Sequence, residues 1–100
     1  MIRITFYIET KNKDLRQCKY LKEFFIRTFD EVFDKYTLIY CDKRYKREDG
    51  TVINEKILKV EVILKSIRGF NITKKCEYLK NILNQETIYV TTERIDYGCY

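Results

Sequence analysis

The chain has 100 residues, 45% of them hydrophobic and 15% aromatic, enough apolar material for one packed core and too little length for two. It contains no Pro and three Gly, so collagen-like, linker-like and low-complexity architectures are excluded. A formal charge of +5 favours anionic partners, while the absence of His removes the commonest metal ligand and the side chain that titrates nearest neutrality.

Ile2, Ile4, Phe6 and Ile8 alternate with Arg3, Thr5, Tyr7 and Glu9, the two-residue period of a strand with one face on a core. Leu15, Cys18, Leu21, Phe25, Phe29 and Val32 then recur every three or four residues, which predicts a helix over 13–34 capped by Asn12 or Asp14. The period returns to two from Tyr36 to about Tyr45, giving a second strand. Asp49-Gly50 marks a hairpin turn, because such pairs tolerate positive φ. A third strand follows over 51–66, and the phase change between Val52-Ile53 and Ile57-Leu58 predicts a bulge near Asn54 to Lys56. Asn71 or Thr73 caps a second helix carrying Ile72, Cys76, Leu79 and Leu83 on one face and ending near Asn84. Thr87 to Ile95 reads as a fourth strand.

The order β-α-β-β-α-β is the split βαβ plan: an α+β, ferredoxin-like sandwich with a four-stranded antiparallel sheet and two helices on one face. Residues 1–95 form a single domain, and 96–100 a short C-terminal tail. The other sheet face carries Tyr7, Tyr89, Ile39 and Ile63 among polar residues, so a second copy is expected there, as a homodimer through the open face. No stretch approaches the roughly 18 apolar residues of a membrane span, so no membrane partner is expected and the reading is cytoplasmic, with reduced thiols.

The densest chemical signal is Lys43-Arg44-Tyr45-Lys46-Arg47, four cations around one aromatic ring beside the turn. Ammonium and guanidinium groups pair with phosphate oxygens and a tyrosine stacks on a base, the combination found in nucleotide and single-strand sites. A solvated hairpin that guards a sheet edge carries the same residues, so both readings stay open. Glu55, in the expected bulge, is either re-aimed into this site or salt-bridged to Lys43 or Arg44. Lys11-Asn12-Lys13 joins the site only if its loop folds toward the hairpin. The carboxylates form no DxD or ExxE set, and no CxxC pair or phosphate-cradling glycine loop occurs, so no metal, no cofactor and no catalytic residue is assigned. Cys18 and Cys76 fall on the apolar helix faces, and Cys99 is the thiol expected at the surface.

Phe33, Tyr36-Thr37, Tyr45-Lys46, Asp49-Gly50, Glu55 and Gln85-Glu86-Thr87-Ile88 form a pattern that resembles a family of small bacterial and phage-borne proteins of unknown function. The resemblance implies the fold and draws attention to Tyr45, Lys46 and Glu55, with no activity to import. Heavy use of Ile, Lys, Tyr and Asn is that of an A+T-rich genome, a low-GC bacterium or its phage. The expected function is therefore a small non-catalytic binding protein, encoded by a phage or mobile element. It would act in counter-defence by capturing an anionic ligand, nucleic acid or a host defence protein through Lys43 to Arg47. The alternatives are a sequence-tolerant DNA or RNA binder and, behind it, a small nuclease or phosphodiesterase using Glu55.

Overall fold

In the computed structural model, which describes residues 1–96, the first alternating segment is strand β1 (Ile2–Glu9), with Ile4, Phe6 and Ile8 fully buried on one face. Helix α1 (Lys19–Val32) starts later than its periodicity predicts. The Asp14 carbonyl accepts from the N–H groups of Gln17 and Cys18, closing a separate turn, and Cys18 at φ −107 and ψ 86 interrupts it before the helix begins. Neither expected cap serves α1: the Asp14 carboxylate is taken by Arg16, and Asn12 lies in a left-handed turn at φ 64. Leu15 is 2% exposed from this turn, so it mimics a helix position without occupying one. Cys18 and Cys76 are both only half-buried, and Cys18 is the residue preceding the helix rather than part of its apolar face.

Phe33 turns to extended backbone and ends α1. Lys75, from the second helix, donates to the Val32 carbonyl at 2.9 Å while its ammonium lies 4.8 Å from the Phe70 ring centre. A tertiary cation thus satisfies a helix C-terminus that has no basic residue of its own in the last turn.

Strands β2 (Thr37–Lys46) and β3 (Val52–Leu64) form the long hairpin. Gly50 N–H donates to Arg47 O and Arg47 N–H to Thr51 O, a three-residue loop with Gly50 in the left-handed position at φ 87. Of the Asp-Gly pair only the glycine takes positive φ, while the Asp49 carboxylate accepts from Thr51 N–H. The expected bulge is absent: the register runs unbroken from Lys46 opposite Val52 to Thr37 opposite Glu61. Its physical reason lies in β1, which ends at Glu9 opposite Ile57. Above Ile57 the hairpin has no third strand beside it, so apolar and polar residues need not alternate there.

Helix α2 (Ile72–Leu83) is capped by Asn71, whose side chain accepts from Lys74 N–H, and ends in left-handed Asn84; strand β4 (Tyr89–Arg94) follows. The sheet order is β2-β3-β1-β4, antiparallel throughout, and the chain has the ferredoxin-like α+β fold. Ile4, Phe6, Ile8, Leu58, Val60 and Val62 pack against Phe25, Phe29, Phe33, Leu79 and Leu83 of the helix layer, with Phe6 and Phe33 ring centres 5.1 Å apart. Among the described residues the other sheet face has no layer over it. The radius of gyration, 14.9 Å, exceeds the about 13 Å of a 100-residue domain because the free end of β2–β3 protrudes, stretching the molecule to 43 Å. Among the described residues no helix is long and apolar enough to cross a membrane. Cys99 lies outside the described residues.

Candidate functional site

The pleat divides the basic run. Lys43 stands opposite Glu55 and Tyr45 opposite Ile53, on the open sheet face, while Arg44 and Lys46, opposite Asn54 and Val52, share the helix side of the arm with Lys56. On the open side Tyr45 donates its hydroxyl to Glu55 at 3.0 Å, and the Lys43 ammonium lies 5.6 Å from the tyrosine ring centre. The hydrogen bond to Glu55 is the main cause that holds the Tyr45 phenol above its ordinary pKa, with burial and the Glu55 charge adding to it and Arg47 opposing. Glu55 thus takes neither of its expected places: no bulge re-aims it, and its partner is Tyr45 rather than Lys43 or Arg44. Among the described residues Lys43, Arg44, Lys46 and Arg47 form no ion pair.

At the base of the arm the charges are matched. Lys56 contacts Asp42 at 2.6 Å and Arg16 holds Asp14 through two guanidinium nitrogens, and these bonds keep both carboxyls below their ordinary pKa. The β1–α1 loop folds onto this base: the N–H and hydroxyl of Thr10 both reach the Lys56 carbonyl, at 3.3 and 3.1 Å. Lys13 is thereby brought beside Asp42 and Lys56 around a cleft of about 50 Å³. That volume admits a few ordered waters and nothing of nucleotide size, so this cleft is not a nucleotide site.

Two residues that sequence reasoning passed over build this end. Thr10 locks the loop, and nothing in its polar surroundings marks it. Gln85 extends the sheet: its side-chain amide accepts from Glu9 N–H at 3.2 Å and donates to Glu9 O at 3.0 Å, a ladder pair made by a side chain beyond the start of β4. Its signal was the Gln-Glu-x-Ile pattern, which carried no role.

No family model matches the sequence, and no curated protein matches it. Solved structures do share its architecture. A phage SAM lyase in complex with S-methyl-5'-thioadenosine is similar at a TM-score of 0.52 and 10% identity, over 92% of this chain and 79% of that one. A phage SAM lyase in the apo state gives 0.51 and 13%, over 92% and 78%. The PII-like protein CutA from Nostoc sp. PCC 7120, in apo form, gives 0.45 and 12%, over 96% and 82%. At such identities the two phage structures establish a likeness of fold.

Proposed function

We propose that the protein is a non-catalytic binding protein that captures an anionic ligand or partner on its β2–β3 arm, in a phage or mobile-element counter-defence role. The observation that carries this reading is the contrast along the arm: Lys56 and Arg16 at its base are neutralised, whereas Lys43, Arg44, Lys46 and Arg47 above them form no ion pair among the described residues. Cations held on a regular two-stranded ribbon present a fixed spacing of donors to phosphate oxygens. Tyr45, restrained by Glu55 and flanked by Lys43, offers a ring for stacking on the open side of the arm, opposite Arg44 and Lys46. The phage neighbours support the reading by their source, and the uncharged nucleoside that one of them holds supports only the stacking of a base.

Native mass spectrometry of the protein as purified tests the reading first. A nucleotide-sized mass that leaves on denaturation, and that an Arg44→Ala, Arg47→Ala double variant fails to retain while keeping its circular dichroism, is the expected result. Retention of the same mass by the folded double variant overturns the arm assignment.

A second reading, a sequence-tolerant nucleic-acid binder, is favoured by one observation. Tyr89, Tyr7, Lys59 and Ile39 form a single cross-strand row on the open face, with Lys59 over the Tyr7 ring at 5.4 Å. Affinity for oligonucleotides that falls steeply with salt, and that Tyr89→Ala lowers, distinguishes it from capture of a small ligand.

A further inference from the structure

On the side of the molecule away from the open sheet face, the first two turns of α1 and the last turn of α2 leave an apolar pocket between them. Leu21, Phe24, Phe25, Ile82 and Leu83 form its walls, and its volume is about 230 Å³. Phe24 and Ile82 are 40% and 42% exposed, large apolar side chains that no other part of the described chain covers. A dry cavity of about 150 Å³ suffices for a benzene ring, so this one accommodates a fused ring pair or a short acyl chain.

The mouth of the pocket is charged. Lys11 and Lys13 border it, against the single carboxylate of Glu9. Their position is fixed by a strained turn: Lys11 and Asn12 both adopt left-handed backbone, at φ 53 and 64, and Lys13 N–H donates to Thr10 O. A lysine in that conformation is strained and persists only where the surroundings impose it, which the buried Thr10 does.

We infer that this pocket binds a small apolar anion, an aryl or short alkyl body with one carboxylate, sulfonate or phosphate head. The body fills the space between Phe24 and Ile82, and the head meets Lys11 and Lys13. The inference is independent of the arm: no residue of the 43–47 run lines the pocket.

The probe is anilinonaphthalene sulfonate, titrated into the folded full-length chain and followed by fluorescence, with its uncharged counterpart phenylnaphthylamine in parallel. Saturable binding with one site per chain is expected, about tenfold weaker for the uncharged dye. Ile82→Asp, at a half-exposed position where folding survives, should abolish it, and Lys11→Ala with Lys13→Ala should weaken the sulfonate about tenfold and leave the neutral dye unchanged. Unchanged near-ultraviolet circular dichroism confirms that each variant remains packed. Non-saturable binding, equal affinity for the two dyes, or indifference to Ile82→Asp overturns the inference. Arg44→Ala with Arg47→Ala should leave the dye titration unaltered, which separates this site from the arm.

Discussion

Thr10 is 4% exposed, and its one hydroxyl proton lies between two carbonyls, Lys13 O at 2.7 Å and Lys56 O at 3.1 Å. Thr10→Val keeps the shape and removes the donor, so it should cost about 1–3 kcal/mol in urea unfolding, whereas Thr10→Ser should recover most of it. Lys11→Gly acts in the opposite sense, because glycine enters φ 53 without the steric penalty that lysine meets there. A gain of up to about 1 kcal/mol is expected, and a loss would show that the turn is unstrained. Tyr36 supplies the pH dependence. Burial, and then the hydrogen bond its hydroxyl donates to Asp30 at 2.7 Å, raise its pKa well above the ordinary tyrosine value. The folded chain therefore holds that proton more tightly than the unfolded chain. The resulting stability is complete below pH about 10 and is lost as pH rises beyond it. Urea midpoints measured across that range should fall with pH, and Tyr36→Phe should fall less steeply; an identical slope would remove Tyr36 from the account. At the acid end the sign reverses, since Asp14, Asp42 and Asp49 are all held low and lose their contribution as pH drops below the ordinary carboxyl range.

Gln85 shows how one side chain completes an element. Because its amide both accepts from and donates to the Glu9 backbone, Gln85→Glu removes the donor and retains the acceptor, placing a carboxylate against a carbonyl. A loss of about 1–2 kcal/mol in urea unfolding is expected; an unchanged midpoint would mean that the bond to the Glu9 carbonyl contributes nothing to the sheet edge. The elements that sequence patterning located well are those with one buried face. Ile4, Phe6 and Ile8, and Leu58, Val60 and Val62, alternate because a one-residue slip would carry them off the core. Patterning failed where that constraint is lifted. Val52 and Ile53 sit on an arm with both faces open, so their phase reported no bulge, and Leu15 reaches the core from a separate turn, so it counted falsely as helix. The same lifted constraint hides the site. Five consecutive residues, Lys43 to Arg47, look like one cluster in sequence, yet the pleat sends Arg44 and Lys46 to one side and Lys43 and Tyr45 to the other.

At the scale of the molecule, the uncovered sheet face poses the question of a second copy. The uncovered face is eight residues long at β1 and six at β4, so with strands about 4.8 Å apart it offers roughly 400–500 Å² per copy, and two such faces come near the about 1,000 Å² at which specific association begins. Arg3 is already engaged with Glu93 at 3.2 Å and Glu61 at 4.0 Å within the same face, whereas Lys59, over the Tyr7 ring, forms no ion pair among the described residues. Apolar attraction comes from the row Tyr89, Tyr7 and Ile39, of which Tyr89 is 69% and Ile39 38% exposed. The expected outcome is a weak homodimer, seen by sedimentation equilibrium as a monomer–dimer exchange. Ile39→Asp with Tyr89→Asp places like charges on both faces and should shift the exchange to monomer by tenfold or more, at exposed sites where the fold tolerates it. The arm variant Arg44→Ala, Arg47→Ala should dimerise as the parent does. A parent chain that stays monomeric at the highest concentration reached, or a charged variant that still dimerises, would mean the open face serves another partner. In the first case the aromatic row is left free for the stacking that the nucleic-acid reading requires.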